Sequence, residues 1–246
     1  MNFPLIHIDE TDSTNRWLSA YHGQAEGEDI AVWTDYQTAG RGCGSNRWES
    51  ERGRNLLFSV LYHPKGVPAA NQFILSMANA LALRDALSEY ADGVKIKWPN
   101  DIYWHDRKLC GTLIESTMRG HAIGHTIIGT GINVNQQRFV SDAPNPVSLF
   151  QILQQEVDRE RLLQEVLQRI GDCLRLVEEG DWELIRTRYR QHLYRLGEDH
   201  SFRWGDREEC CRLLGVSDDG HLLLLPLSAG DREPLSFAFK EVQFVI

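Results

Sequence analysis

No apolar run in this sequence reaches the length needed to cross a bilayer, although 42% of its 246 residues are hydrophobic. A membrane partner is therefore not expected. A secretory leader is also missing: Met1-Asn2-Phe3-Pro4-Leu5 has neither a basic start nor a continuous apolar stretch, which makes the cytoplasm the expected location. The five cysteines, including the neighbours Cys210 and Cys211, form no C-x-x-C pair and no metal-ligand spacing. They read as reduced thiols rather than a disulfide framework. His121 and His125 are four apart, but Gly120 and Gly124 oppose the helix that a zinc-binding pair at that spacing needs. There is no long Lys/Arg run and the formal charge is -9, so a basic face for a phosphate polymer is missing and no DNA partner is expected. No internal repeat or low-complexity segment stands out.

What is present is length for one substantial core with a small appendage, and basic residues gathered locally. Arg41, Arg47, Arg52 and Arg54 fall within one predicted loop that opens with Gln37-Thr38-Ala39-Gly40. Glycines, guanidinium groups and Trp48 in one loop suit a small anion better than a polymer. Downstream, Lys95-Ile96-Lys97-Trp98-Pro99-Asn100-Asp101 puts cations and a carboxylate where a strand must stop, because Pro99 cannot donate to a sheet ladder. Lys108 follows at the lip of the apolar run Leu109 to Ile114, so a hairpin would turn Asp101 and Lys108 toward one pocket. The plainer reading is a solvated hairpin with a salt bridge.

The layout is α+β. Asp12 or Ser13 is placed to cap a helix through Tyr21, and residues 29–37 and 55–62 read as strands. A helix is expected over 68–90, with Phe73, Ile74, Met77, Leu81 and Leu87 as its core stripe. Residues 94–104, 108–118 and 122–135 read as sheet strands, the last two joined by a turn at Arg119-Gly120-His121. From Ser148 to His192 the spacing is helical, with Ser148 and Asp158 as caps and Gly180 as a break. Beyond Leu196, five short runs are separated by Gly-Asp, Asp-Asp-Gly and Ala-Gly-Asp turns, the pattern of a small β-barrel.

Asp12-Ser13-Thr14-Asn15, the Gln37 to Gly42 loop, Lys97 to Asp101, Lys108 to Glu115 and Gly129-Thr130-Gly131-Ile132-Asn133 occur in that order. Together they resemble the biotin protein ligases, which carry D-S-T-N, Q-x-A-G-R-G, K-W-P-N-D, K-x-x-G-x-L-x-E and G-x-G-x-N. The resemblance is strong from about Ile8 to Asn135 and rests on general layout beyond. It implies a catalytic domain over 1–195, of the class II synthetase and biotin-ligase type with a mixed, largely antiparallel sheet and packed helices. An SH3-like β-barrel is implied over 196–246. It also implies a two-step reaction of the biotin–[acetyl-CoA-carboxylase] ligase type. Biotin and ATP with Mg²⁺ give biotinyl-5′-AMP, and a lysine of a biotin carboxyl carrier domain then takes the biotin. A homodimer is left open, and the Mg²⁺ ligands are not indicated.

By the same resemblance, Lys108 lies where the biotin carboxylate meets the α-phosphate, and Arg41 reaches that phosphate from the loop. Ser13, Thr14, Asn15 and Gln37 match biotin-binding positions, where hydroxyls and amides suit a ureido ring; Ser13 and Thr14 are equally ordinary helix caps. Gly40, Gly42 and Cys43 in the loop and Gly111 after Lys108 complete that set, with backbone N–H groups able to approach closely. Arg47, Trp48, Lys97 and Asn133 fall to the nucleotide, Asn133 at the adenine edge; a hydrophobic anchor is an equal reading for Trp48. Asp101 either assists deprotonation of the incoming lysine, positions MgATP, or is a turn aspartate.

The loop departs from the commonest family form, G-R-G-R-R-G-R: Cys43 and Gly44 stand where arginines often do, so only Arg41 carries over cleanly. Cys43 reads as a packing residue. A lipoate or octanoate ligase of related fold is the alternative enzyme, but an R-R-x-S-G-G-G-like loop is lacking. A non-catalytic biotin sensor is the alternative outside catalysis.

Overall fold

Two sheets, five α-helices and one 3₁₀ turn account for the regular structure of residues 1, 3–21, 27–44, 46–140, 145–228 and 233–246, which the computed structural model describes. β1 (Leu5–Thr11) runs parallel to β2 (Ile30–Gln37), and α1 (Thr14–Tyr21) lies in the connection between them. β2 pairs antiparallel with β3 (Leu56–Tyr62), and β3 with β7 (Ala122–Ile132). On the other side of β7 the order continues through β6 (Arg107–Arg119), β5 (Asp101–Trp104) and β4 (Val94–Lys97), all antiparallel. The sheet is therefore mixed and largely antiparallel, as expected.

Two differences from the sequence reading stand out. β1 was not anticipated, although Ile6 and Ile8 alternate with exposed neighbours and pack against Leu18, Ile30, Val32, Leu61 and Ile127. The stretch 94–104 is two strands, because the chain reverses at Pro99 and Asn100 to pair Lys97 with Asp101 and Val94 with Trp104. Pro99, with no N–H to give, sits in the turn, and the Trp98–Pro99 peptide is cis.

α2 (Phe73–Ser88) follows a 3₁₀ turn at Ala69–Asn71 and covers the face of the sheet opposite α1. It is buried almost all round, since α4 (Arg159–Glu179) and α5 (Trp182–Gln191) close over its outer side. Each fully buried leucine there, such as Leu81 or Leu87, contributes about 2 kcal/mol. Ser148 caps α3 (Leu149–Leu153) in a capping box with Gln151. Asp158 accepts from Glu160 N and Arg161 N to start α4, which stops at Gly180 with φ +83°, a conformation that favours glycine.

The C-terminal strands β8 (Asp199–Trp204), β9 (Arg207–Val216), β10 (Leu222–Pro226), β11 (Leu235–Phe237) and β12 (Gln243–Phe244) form an antiparallel sheet in the order β11-β10-β9-β8-β12. Among the described residues no pair joins β11 to β12 to close a barrel. The Ala-Gly-Asp turn expected at 229–231 lies outside the described residues. Phe202, Leu213, Leu222 and Leu224 merge with the main core, and Trp98 Nε1 donates to Gly220 O at 2.9 Å, so this sheet is seated against the β4–β5 hairpin.

Candidate active site

Glycines clear the floor of the site. Gly111 on β6 lies opposite Gly131 on β7, and Leu113 opposite Gly129. A side chain at Gly131 would begin 2.4 Å from the Trp48 indole, and one at Gly111 would begin 2.9 Å from the same ring and 3.1 Å from Lys108 Cε. Trp48 thus lies in a slot that exists because two facing positions lack a Cβ. Gly129 leaves the corresponding space for Asn15, whose Oδ1 would be 2.0 Å from a Cβ there. In a strand, residues two apart share a face, which is why G-x-G delivers both clearances together.

Lys108 and Gly111 are three positions apart, so regular alternation would put them on opposite faces. The β5–β6 register shifts between Ile102 and Tyr103, and the extra residue returns Lys108 to the face of Gly111. Lys108 Nζ then lies 2.7 Å from Asp101 Oδ2 across the hairpin and 5.9 Å from the centre of the Trp48 ring.

A hydrogen-bond chain crosses the site from α1 to the loop. Thr14 donates twice to Gln37 Oε1, from N at 2.9 Å and from Oγ1 at 3.1 Å. The first of these satisfies an N–H that the helix start leaves without an intrahelical partner. Ser59 Oγ lies 2.7 Å from Thr14 Oγ1 and 2.6 Å from Asn15 Oδ1. Asn15 Nδ2 donates to Glu115 Oε2 at 2.8 Å, and Glu115 Oε1 accepts from Arg41 at 3.0 Å. Arg41 is thereby fixed through four elements.

The glycine loop folds on itself: Gly42 N donates to Asn46 O at 2.8 Å, Trp48 N donates to Gly40 O at 3.1 Å, and Arg41 and Arg47 form an isolated antiparallel bridge. Ser45 lies outside the described residues. Lys97 projects between the rings of Tyr103 and Phe244, 5.2 and 4.6 Å from their centres. Burial holds its ammonium below the usual lysine range, against the opposing pull of Asp101. Trp48 Nε1 is buried beside Gly131 with no partner among the described residues, and the Trp48 side chain borders a ligand-sized space.

That space is a cavity of about 890 Å³. It brings together Ser13, Thr14, Asn15, Gln37, Arg41, Gly42 and Cys43 with Arg47, Trp48, Lys97, Asp101, Lys108, Gly111 and Asn133. Of the residues that the family resemblance assigns to the site, Gly40 alone is off its wall; a Cβ there would meet Trp48 O at 2.8 Å, so its role is to let the loop close. Three expectations are corrected. Arg52 and Arg54 are not part of the anion site, because they pair with Glu10 and Glu156 away from the cavity. The Gly42 N–H is engaged within the loop in this conformation and does not face a ligand. Asn133 lines the cavity, but its Nδ2 donates to Val147 O at 3.1 Å and to Lys108 O at 3.4 Å, so in this conformation the donor half of an adenine pairing is already engaged.

Sequence reasoning missed Ser59, which is distant in sequence and carries no motif, and Phe139 and Phe239 on the wall. Glu115 stood inside a motif and was passed over. Chemically, the site offers two cations held by carboxylates, an amide and hydroxyl cluster at one end, and aromatic walls. Such a site can hold two anions against each other.

The profile of the biotin/lipoate A/B protein ligase family matches residues 8–133. The bifunctional ligase/repressor BirA of Salmonella typhimurium is 31% identical over 217 residues, 87% of this chain and 67% of that protein. The chain thus spans about two thirds of that relative's length. The biotin–[acetyl-CoA-carboxylase] ligase of Paracoccus denitrificans is 31% identical over 223 residues, 87% of this chain and 91% of that one. The biotin protein ligase of Aquifex aeolicus, solved with biotin and ATP, superposes with a TM-score of 0.80 at 28% identity, covering 98% of this chain and 99% of that one. The profile, the relatives and the shared fold agree, and the chain belongs to the biotin/lipoate A/B protein ligase family, as a ligase of its biotin protein ligase kind.

Proposed function

We propose that the protein joins biotin to a lysine of a biotin carboxyl carrier domain in two steps, with MgATP as co-substrate. The observation that carries this reading is the convergence of Lys108 and Arg41, from β6 and the glycine loop, on one cavity whose far end presents Thr14 and Gln37.

In the first step a carboxylate oxygen of biotin attacks the α-phosphorus of ATP. The new O–P bond forms as the bond from Pα to the bridging oxygen breaks, and pyrophosphate leaves with the electron pair. Two anions must meet, and Lys108 and Arg41 offset their repulsion where charge builds up; removing one such preorganised group costs about 3 kcal/mol of transition-state stabilisation. Because Asp101 touches the Lys108 ammonium, orienting that cation is the role its geometry supports. Thr14 fixes the Gln37 amide, and Ser13 and Asn15 line the same end, matching the donors and acceptor of a ureido ring.

In the second step the carrier lysine attacks the acyl carbon of biotinyl-5′-AMP. A C–N bond forms, the C–O bond to phosphate breaks, AMP departs and the amine loses its proton. The product is an amide. In this reading residues 1–195 form the catalytic domain and residues 196–246 a small appended one, and Arg47, Trp48, Lys97 and Asn133 surround the nucleotide.

The test is pyrophosphate release from MgATP with and without biotin, together with the mass of an added apo carrier domain. Release that requires biotin, with one biotin amide on the carrier, is expected. Neither event alongside an active control ligase, or turnover with lipoate or octanoate instead of biotin, overturns the proposal.

A further inference from the structure

We infer that Lys240, on the turn after β11, is an ATP-phosphate-binding residue that takes the place of a cation missing from the glycine loop. This rests on the adenylating reaction proposed above. At Gly44, where the family's loop often has an arginine, a Cβ would lie 2.7 Å from Lys240 Nζ and 3.7 Å from its Cε. The Lys240 ammonium, the end of a flexible side chain, thus stands in the space next to position 44. Gly44 also has φ +70°, a conformation L side chains rarely adopt, so the loop at this point is shaped for an incoming cation rather than for one of its own.

The C-terminal sheet delivers Lys240 by a defined turn. Strand pairing stops at Phe237, Glu241 N donates to Ala238 O at 3.1 Å, and Ala238 N donates to Glu241 Oε2 at 2.7 Å. Lys240 itself has φ +74°, a strained backbone for a residue with a side chain, of the kind that concentrates at functional positions. The preceding residue, Phe239, is on the cavity wall and meets Trp98 edge to face at 5.9 Å, which ties the turn to the hairpin carrying Asp101. Gly42 and Cys43, beside Gly44, line the same cavity.

Charge points to the ligand. Arg41 and Lys108 each have a carboxylate partner, at 3.0 and 2.7 Å. Among the described residues no carboxylate lies within 4.0 Å of Lys240. Lys240 and Gly44 are not themselves on the cavity wall, but each neighbours a residue that is, and an ammonium there with no carboxylate partner among the described residues is matched by the phosphates that depart as pyrophosphate, joining the wall cations Arg47 and Lys97. The C-terminal sheet thus acts in the first half-reaction, on ATP and not on biotin.

The experiment compares the parent with Lys240→Met and Lys240→Arg, measuring KM for ATP in biotin-dependent pyrophosphate release and biotin binding by calorimetry without ATP. Lys240→Met is expected to raise KM for ATP about tenfold, the worth of one charge-assisted contact at an exposed position, with unchanged biotin affinity as the sign of an intact fold. Lys240→Arg is expected to restore most of the loss, and the salt dependence of KM for ATP to flatten in the methionine variant. A KM for ATP within about twofold of the parent in Lys240→Met overturns the inference, as does an equal loss in biotin affinity, which marks a structural role. Should the parent release no pyrophosphate with biotin, the ligase proposal itself fails. Calorimetric binding of ATP to parent and Lys240→Met then decides on Lys240 alone, equal affinities overturning its role.

Discussion

Adding one methyl group at Gly129 should disable the biotin end of the cavity through Asn15. A Cβ there would stand 2.0 Å from Asn15 Oδ1 and 2.8 Å from its Cγ, separations that side chains do not tolerate. Asn15 is 3% exposed on the first turn of α1 and has no open space to enter without leaving its partners. The displaced amide gives up Ser59 at 2.6 Å, Leu113 O at 3.3 Å and the Glu115 carboxylate at 2.8 Å. A neutral bond is worth about 1 kcal/mol net and one to a charged group about 2, so the loss is about 3 kcal/mol, the long Leu113 contact adding little. If it falls on ligand binding, that is about 150-fold in biotin affinity. Urea unfolding and calorimetric biotin titration of Gly129→Ala, Asn15→Ala and the double variant close a cycle. Because the clash is with Asn15, the double variant should cost no more than Asn15→Ala alone, a coupling of about 3 kcal/mol. Additive costs would show that the methyl displaces something else and refute the reasoning.

Three further outcomes follow from the site. Lys108→Ala should keep the fold and biotin binding but lose most adenylation; pyrophosphate release at the parental rate would remove Lys108 from the chemistry. Arg47→Ala should release biotinyl-5′-AMP faster than the parent, because the Arg47 side chain lines the cavity from the loop segment bridged to Arg41; an unchanged release rate in a dilution chase would deny Arg47 that part. Lys97 is held by burial below its ordinary value of 10.5. Between its folded-state pKa and 10.5 the unfolded chain binds more protons, so its contribution to stability rises as pH climbs through that window. Lys97→Met should therefore be more stable than the parent at neutral pH, with the advantage shrinking toward pH 10.5. A gap between the two unfolding curves that stays constant with pH would contradict this.

Local signals carried much of the fold. Ser148, Asp158 and Gly180 mark helix ends by the chemistry of their own side chains and backbone, and they lie where the sequence puts them. Two facing glycines and an ordered set of motifs likewise made the cavity legible, since almost every expected residue lines it. What escaped was set at long range or by geometry that single residues do not encode. The register shift that turns Lys108 inward depends on how two strands pair, not on either sequence alone. Arg52 and Arg54 look like partners of Arg41 along the chain, but Glu10 and Glu156 claim them in space. Asn133 reads as an adenine ligand until the Val147 carbonyl, fourteen residues on, takes its donor. Ser59 is an unremarked hydroxyl on a buried strand, and only the fold brings it between Thr14 and Asn15. β1 went unseen because Leu5, His7 and Asp9 on its outer side dilute a pattern carried by two isoleucines.

Acid-quenched mass analysis of the enzyme mixed with biotin and MgATP, with no carrier present, tests the adenylating role of Lys108 and its partners most directly. The parent should accumulate biotinyl-5′-AMP up to about one per chain, and Lys108→Ala only traces of it while still binding biotin. Equal adenylate in both proteins, or no adenylate in the parent, would contradict the assignment.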